Sequence, residues 1–318
     1  MRINVLALDG VFDTGLATVL DAFAIANELA AMTERTSRFE IAITGMRRRV
    51  RTALGLGVPV AARAFKRPDC VIVPAIGCKM PAPLEHALTR RDVRDALTAL
   101  RAWSEDGASL AAACVGTFVL AESGLLDGEE ATTTWWLAPM FRQRYPLVRL
   151  DESRMVVRSG KTITAGAALS HIDLALALIR QSSPELASLV AKYLVVDARP
   201  SQSAYAISDH LIHADPLVER FEHWVRGRLE RGFSLDEAAD ALATSKRTLA
   251  RRLMDTLGKT PVSYVQDLRV ERAVHLLKTT GNSVERIAAM VGYADGVTLS
   301  TLLRRRLGRG VRELRAAA

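Results

Sequence analysis

The sequence predicts a doubly wound α/β parallel sheet followed by an all-α domain with two helix-turn-helix motifs. Short apolar runs alternate with amphipathic helical patterns over the first two hundred residues, as in a parallel sheet covered by helices. Between Ser234 and Arg315 one helix-turn-helix pattern occurs twice, and Ser234 and Ser283 are corresponding positions 49 residues apart. The net charge of +8 is concentrated from Val218 onward, where 19 Lys and Arg face 12 Asp and Glu. A near-neutral first part and a basic second part predict that the second part binds a polyanion.

Composition and length restrict the class of protein. At 318 residues, with 49% apolar and 25% charged residues, the chain is long enough for two globular domains. Its three cysteines, Cys70, Cys78 and Cys114, form no CxxC pair, so we expect neither a disulfide framework nor a metal, and no cofactor. No stretch approaches ~18 uncharged apolar residues. We therefore expect a cytoplasmic protein with no membrane segment.

The elements of the first part follow from their periodicity. Apolar runs predict buried strands at 3–8, 39–44, 70–75 and 109–114. Helical spacing predicts helices within 16–32, 90–106, 116–126, 171–181 and 184–196. A strand pair is predicted around the tight turn at Ser159-Gly160.

One strand end has the pattern of a nucleophile elbow. Cys114 follows a strand and precedes a helix, with Ala112 and Gly116 two residues to either side. Small residues at these places allow the sharp strand-to-helix turn that presents a nucleophile. On such an elbow the thiol faces a helix N-terminus, which predicts a lowered pKa.

Ligands of doubly wound sheets bind beyond the carboxyl ends of the strands. We therefore expect the strand-end loops to form one cleft that binds a small polar metabolite as an effector. The residues predicted to line it are Asp9, Gly10, Gly77, Cys78, Cys114, Val115, Trp135 and His171. The alternative is a vestigial cleft in a domain that only builds a dimer.

The segments "CVGTFVLAESGLLDGEEATTTWW" and "RMVVRSGKTITAGAALSHIDLALALI" resemble the PfpI/ThiJ type of class I glutamine-amidotransferase-like domain. The resemblance covers residues 1–200 and implies a flavodoxin-like, amidotransferase-like fold. In enzymes of this family the elbow Cys works with a His, and "ATTHW" is the usual reading in its regulator branch. Here Thr134 stands in the place of that His, 20 residues after Cys114.

Thr cannot act as a general base near neutral pH, so we expect no catalytic residue in this domain. Cys114 is then a small residue lining a pocket, and the alternative is a catalytic thiol. A substitute base would have to be another His. His86 is expected at the surface, His210 and His213 in the linker, and His171 at the start of a helix that faces the pocket.

Between the two parts, residues 201–217 are rich in Ser, Asp and Pro and predict a linker, with the boundary near Ala214. Residues 218–318 form the predicted DNA-binding domain, with helix-turn-helix motifs at about 234–258 and 283–308.

In the first motif Ser234 and Glu237 form a capping box, and Ser245 caps the second helix, which ends at Gly258. With Leu249 and Leu253 facing inward, the basic residues of this helix face outward. Recognition helices place their N-terminal residues on base edges. The predicted DNA-contacting residues are Ser245, Lys246, Arg247, Arg251 and Arg252, of which Arg247 and Arg251 would reach guanine bidentately and Lys246 and Arg252 would contact phosphates.

In the second motif Asp295 caps the recognition helix, and Ser283 caps the helix before it. Small and apolar groups are expected in the groove, and arginines at the far end on the DNA backbone. These predicted contacts are Val297, Thr298 and Thr301, followed by Arg304, Arg305 and Arg306. The first motif is therefore expected to read guanine, and the second to sense a thymine methyl or dock on phosphate.

Over about 100 residues, "SKRTLARRL", "IAAMVGYAD" and "LGRGVRELR" resemble the AraC/XylS-type DNA-binding domain. Leu299 and Leu303 stand where Phe is usual, and Val311 where Pro is usual; we expect these swaps to loosen packing without abolishing the fold. The resemblance implies that both recognition helices enter successive major-groove segments of double-stranded DNA, about one helical turn (~34 Å) apart.

The fusion of the two parts resembles the GlxA-type branch of that family. This implies a sequence-specific transcription regulator that senses a small metabolite at a promoter, often as an activator, as a homodimer and with RNA polymerase as a further partner. An alternative is a cysteine-dependent hydrolase or amidase fused to a DNA-binding domain. A non-specific DNA-packaging protein fits poorly, because the two recognition faces differ.

Overall fold

The computed structural model describes residues 1–32, 38–60, 64–197, 199, 201–202 and 215–316. The chain divides into two compact units, Met1–Gln202 and Ser203–Ala318. The boundary near Ala214, and with it His210 and His213, lies outside the described residues. At the two ends of the predicted linker, Gln202 is fully buried in the first unit and Asp215 caps the first described helix of the second.

The first unit is built on a six-stranded sheet with strand order β2-β1-β5-β6-β10-β9. The strands among the described residues are β1 (Arg2–Leu6), β2 (Glu40–Thr44), β3 (Arg49–Arg51), β4 (Gly57–Pro59), β5 (Cys70–Val73), β6 (Ser109–Ala113), β7 (Glu130–Ala131), β8 (Arg149–Leu150), β9 (Val156–Ser159) and β10 (Thr162–Ala165). All neighbours in this sheet pair in parallel except β9 and β10. The predicted parallel sheet, with a hairpin at Ser159-Gly160 on its edge, is confirmed.

In the described part of the first unit, seven helices cover the sheet. They are α1 (Asp13–Met32), α2 (Pro81–Leu88), α3 (Arg91–Glu105), α4 (Gly116–Glu122), α5 (Ala138–Arg144), α6 (His171–Ser182) and α7 (Pro184–Tyr193), with short 3-10 turns at Trp135–Leu137 and Ala168–Ser170. Buried residues of α1, α6 and α7 form one core, and those of α2 to α5 form another. Strand β5 contributes Cys70 and Ile72 to the first core and Val71 and Val73 to the second. This alternation places helices on both faces, as a doubly wound fold requires.

Helix α1 is the one described helix whose length and apolar composition would suffice to cross a membrane. In this structure its apolar face lies in the core of the first unit, where Val19, Ala22, Phe23 and Ala26 are fully buried. A buried core helix passes the same test of length and composition.

The second unit is helical throughout its described part. Its helices are α8 (Pro216–Arg226), α9 (Leu235–Ala241), α10 (Lys246–Leu257), α11 (Pro261–Thr279), α12 (Val284–Met290), α13 (Gly296–Leu307) and α14 (Val311–Ala316). Two separate cores form, one with α8, α9 and α10 and the other with α12, α13 and α14. The long helix α11 supplies Leu268 to the first core and Leu277 to the second. The two helix-turn-helix units therefore share one helix as their mechanical connection.

The two turns use the same backbone conformation with different residues. Ala243 in the first turn has φ +50°, and Gly292 at the corresponding place in the second has φ +80°. At the far ends of the recognition helices, Gly258 and Gly308 adopt the left-handed conformation that closes a helix. Leu299 and Leu303 are fully buried, so the swaps from Phe are accommodated in the second core.

Candidate nucleic-acid interface and effector site

The first recognition helix, α10, begins at the predicted residue. The hydroxyl of Ser245 accepts a hydrogen bond from the Thr248 amide at 3.0 Å and caps the helix. Arg247 and Arg251 are exposed, and neither has an ion pair with any residue that the structure describes. These two guanidinium groups are thus available to a ligand on the outer face of the helix.

The other two basic residues of α10 already have carboxylate partners. Lys246 lies 2.7 Å from Asp236, and more than half of each side chain is exposed. Arg252 lies 2.6 Å from Asp215, whose carboxylate is buried. The phosphate contact of Arg252 stays a prediction; in this structure its guanidinium is paired with an acidic residue 37 positions earlier.

The second recognition helix, α13, presents a different surface. Asp295 accepts hydrogen bonds from the amide of Thr298 at 2.7 Å and from its hydroxyl at 2.9 Å. The Thr298 hydroxyl is therefore engaged in the cap, whereas Val297 (77% exposed) and Thr301 remain open.

At the far end of α13, Arg304 and Arg305 are exposed and make no ion pair within the described ranges. Arg306, expected to act with them on the DNA backbone, instead lies 3.1 Å from Asp267 and donates to Gln266. Two of the three arginines are thus free, and the third joins α13 to α11.

In the first unit the predicted elbow is present. Cys114 has φ +54°, a conformation that is rare outside glycine. A Cβ atom at Gly116 would clash with the carbonyl oxygen of Val73 on the neighbouring strand. The backbone amide of Cys114 donates to Ala165 at 2.8 Å, which ties the elbow to β10. The sharp turn therefore requires glycine at position 116.

The thiol on this elbow lies in a buried environment. Burial raises the pKa of Cys114 to about 12, and the Val115 backbone and the nearby Thr134 hydroxyl lower it by less. The expected lowering of this pKa by the helix N-terminus is therefore wrong, because the residue is only 4% exposed and desolvation dominates.

Thr134 is completely buried beside Cys114, in the place where the family has His. Its hydroxyl makes no hydrogen bond of ordinary geometry with the described residues, although it is near enough to influence the thiol. The preceding Thr133 donates through its hydroxyl to the carbonyl of Cys114 at 2.8 Å. The segment 132–134 is thus part of the elbow.

His171 does not substitute for the missing base. Its Nε2 atom accepts from the Ala75 amide at 3.1 Å, and its Nδ1 atom donates to the Ala168 carbonyl at 2.7 Å. The ring is fully buried, and burial lowers the pKa of His171 to about 4. Its predicted place in an open effector cleft is corrected, since both nitrogens hold backbone groups inside the unit.

The remaining predicted effector residues differ in exposure. Asp9, Gly77 and Cys78 are half-buried, whereas Val115 and Trp135 are buried. The Asp9 carboxylate accepts a hydrogen bond from the Arg51 amide at 3.1 Å, and the backbone carbonyl of Asp9 accepts one from the Arg90 guanidinium at 2.6 Å. His86 is exposed at the end of α2, as expected. The described residues hold no group of three His, Cys, Asp or Glu that would bind a metal.

Gln202 is a site residue that no sequence pattern indicates. It is fully buried, and its Nε2 atom donates to the carbonyl of Thr133 at 2.8 Å and to the hydroxyl of Thr132 at 3.2 Å. The Gln202 Oε1 atom has no partner among the described residues. The final described residue of the first unit therefore packs against the elbow segment.

Two helix-turn-helix units on one shared helix, preceded by an α/β unit, define a DNA-binding regulator of transcription. Residues 1–181 match the model of the DJ-1/PfpI family, and residues 238–317 match that of the helix-turn-helix domain. The chain belongs to the DJ-1/PfpI family, in its branch of AraC-type transcriptional regulators.

Among relatives, the transcriptional regulator GbdR of Pseudomonas aeruginosa is 27% identical over 96% of this chain and 82% of its own length. The regulator CdhR of the same species is 30% identical over 61% of this chain and 59% of its own. The transcriptional activator RhaS of Escherichia fergusonii is 40% identical over 32% of this chain and 37% of its own. A putative transcriptional regulator from Vibrio parahaemolyticus has the same fold at 21% identity, with a TM-score of 0.53 over 61% of this chain and 98% of that one.

Proposed function

We propose that this regulator recognises its operator mainly through α10, with Arg247 and Arg251 on guanine edges. The observation that carries this is the exposure of both guanidinium groups with no ion pair among the described residues. Arg is the side chain that pairs bidentately with guanine O6 and N7 in the major groove.

We further propose that α13 is the weaker reader. Val297 offers an apolar surface that suits a thymine methyl, and Thr301 is exposed beside it. Arg304 and Arg305 act on phosphates, which fix register without reading sequence. This division predicts an operator with one guanine-containing half-site and one weakly specified half-site, about one helical turn (~34 Å) away.

Selection of bound duplexes from random DNA with the full chain tests this function. We expect enriched sequences with one strongly conserved block and a second, weaker block at that spacing. Two equally conserved blocks would contradict the division of labour. Recovery of no enriched sequence would contradict sequence-specific binding itself.

We propose that the first unit senses a small polar metabolite at the elbow and carries out no reaction on it. The elbow backbone is retained, while Thr134 replaces the expected base. Buried polar atoms ordinarily have hydrogen-bond partners. The unpartnered Oγ1 of Thr134 and Oε1 of Gln202 are therefore groups that a bound metabolite would satisfy.

The alternative of a cysteine hydrolase requires an imidazole that activates the thiol. His171 is committed to Ala75 and Ala168, and the pKa of Cys114 is raised rather than lowered. Both observations support sensing over catalysis.

Thermal-shift screening of the full chain against amino acids, amines and betaines tests the sensor. A ligand of the elbow should raise the melting temperature of the wild type and do so less in Thr134→Val, which removes the free hydroxyl at equal size. If no compound of these classes shifts the melting temperature, the cleft is vestigial. The proposal further includes a cytoplasmic homodimer that activates transcription through contact with RNA polymerase. Analytical ultracentrifugation and transcription in vitro address those points.

A further inference from the structure

Asp215 joins the first helix of the second unit to the first recognition helix. Its Oδ1 atom accepts hydrogen bonds from the amides of Leu217 at 2.9 Å and Val218 at 3.4 Å, which caps α8. Its Oδ2 atom lies 2.6 Å from Nε of Arg252 and accepts from the Thr256 hydroxyl at 3.4 Å. Arg252 and Thr256 belong to α10, so one carboxylate holds two helices together.

The two partners differ in exposure. The Asp215 side chain is 7% exposed and that of Arg252 is 46% exposed. Burial alone would raise the pKa of Asp215, but the Arg252 guanidinium and the capping amides outweigh it and keep the pKa below its usual value. The carboxylate therefore stays ionised, and a buried charge of this kind holds its partner firmly.

The other ion pair on this helix is of a different kind. Lys246 and Asp236 are 56% and 71% exposed, and exposed pairs contribute little. Within the described part of α10, Arg252 is the basic residue whose partner is a buried carboxylate. Its charge is thus neutralised before any DNA approaches.

We propose that Asp215 is a positioning residue of the DNA reader, which holds Arg252 away from phosphate and fixes α10 against α8. The proposal rests on the proposed DNA-binding function and refines it. An arginine already neutralised by a buried carboxylate releases no counterion from DNA, whereas a freed one would. Loss of the negative charge of Asp215 would therefore change the number of free cationic groups on α10.

The dependence of operator affinity on salt concentration tests this role of Asp215. The measurement uses the full chain and a duplex obtained by selection from random DNA. Asp215→Asn keeps an oxygen that caps α8 but removes the charge. We expect its slope of log affinity against log salt to be steeper than wild type by about 0.9. Between 50 and 200 mM salt this corresponds to a loss of affinity about threefold larger. Arg252→Ala should have the wild-type slope, and the double variant should return to it.

Asp255→Asn is the matched control, because it removes an equal charge from an exposed position of α10 where no described residue forms an ion pair with it. The slope change in Asp215→Asn must exceed the change in this control, and only the former should be abolished by Arg252→Ala. A slope that is flatter by about 0.9 in Arg252→Ala alone would show that Arg252 contacts phosphate, and would overturn the proposal. This single variant decides the matter if Asp215→Asn does not fold.

Failure of the wild type to bind any selected duplex would count against the proposed DNA-binding function, and not against the contact between Asp215 and Arg252. That contact is then tested by thermal unfolding of the same variants. Each single variant should lower the melting temperature, and the double variant should lower it no further than the more damaging single one. Additive losses would show that Asp215 and Arg252 act independently, contrary to the proposal.

Discussion

The Nε2 atom of His171 accepts a hydrogen bond from the backbone amide of Ala75 at 3.1 Å, which links the start of α6 to the end of β5. This contact requires a neutral ring, because a protonated Nε2 cannot accept. The stability of the first unit therefore depends on the protonation state of His171.

Acidification should destabilise the first unit through His171. Burial lowers the pKa of His171 from 6.5 to about 4. Between these values the unfolded chain binds a proton that the folded chain excludes, so this stability is fully present above pH ~6.5 and is lost as the pH falls towards ~4. We expect a loss of about 3 kcal/mol over this window. Urea unfolding at a series of pH values measures it.

His171→Gln is the control for this pH dependence, since its amide oxygen can still accept from Ala75 and does not titrate. The variant should be less stable near neutrality, and its free energy of unfolding should vary less between about pH 4 and 6.5. Equal slopes in the variant and the wild type would mean that other groups cause the dependence.

The two helix-turn-helix turns should respond oppositely to exchange of their residues. Ala243→Gly relieves a side chain at φ +50° and should stabilise the first motif by about 1 kcal/mol. Gly292→Ala should destabilise the second by about 2 kcal/mol or more, because its Cβ would clash with the Leu229 carbonyl and the Arg269 guanidinium. Hydrogen-exchange protection of α9 and α12 reports the two motifs separately. A stabilising Gly292→Ala would refute this account of the turns.

Base reading and phosphate contact should separate by mutation. Arg247→Ala should cost about 1–3 kcal/mol in operator binding and relax preference at one base pair. Arg305→Ala should weaken all sequences alike and flatten the salt slope by about 0.9. Binding to the selected operator and to its single-base variants, at several salt concentrations, measures both effects.

Arg306→Ala provides the comparison, because this arginine is bonded to Asp267 and Gln266. We expect it to leave the salt slope unchanged. If Arg247→Ala and Arg305→Ala behaved identically across all sites, the division between base and phosphate contacts would be wrong.

The elbow thiol should react more slowly than its half-exposed counterpart. Burial raises the pKa of Cys114 to about 12, so at pH ~8 roughly one thiol in ten thousand is ionised. Cys78 is half-buried, and Arg90 opposes the rise of its pKa. Iodoacetamide labelling followed by mass spectrometry should therefore modify Cys78 first. Preferential labelling of Cys114 would restore the case for an activated thiol.

Elements with a long or regular pattern of apolar residues could be predicted from the sequence. The strands at 70–75 and 109–114, the caps at Ser245 and Asp295 and the elbow at Cys114 all depend on local patterns, and the structure contains them. The short pairs β3–β4 and β7–β8 were not predicted, because two or three residues carry too little periodicity.

The sequence indicated which residue types occupy the candidate sites, but not which other residues they contact. Helical position indicates that Arg252 faces outward, yet its carboxylate partner is the N-cap residue of another helix. The direction of the Cys114 pKa depends on burial by distant segments, and Gln202 reaches the elbow only through tertiary packing. Contacts of this kind have no signature in a single sequence.

Helix α11 spans Pro261–Thr279 and contributes to both cores of the second unit. Its length therefore sets the phase of the second reader relative to the first. One residue inserted into α11 would shift the second reader by ~1.5 Å and rotate it by ~100°, and α13 would then point towards another side of the duplex. If both helices read DNA as proposed, a change in the length of α11 does not give access to target sites with a different half-site spacing, because it also rotates α13. On the same proposal, substitutions on the outer faces of α10 and α13 change the recognised sequence, while the distance between the two half-sites stays the same.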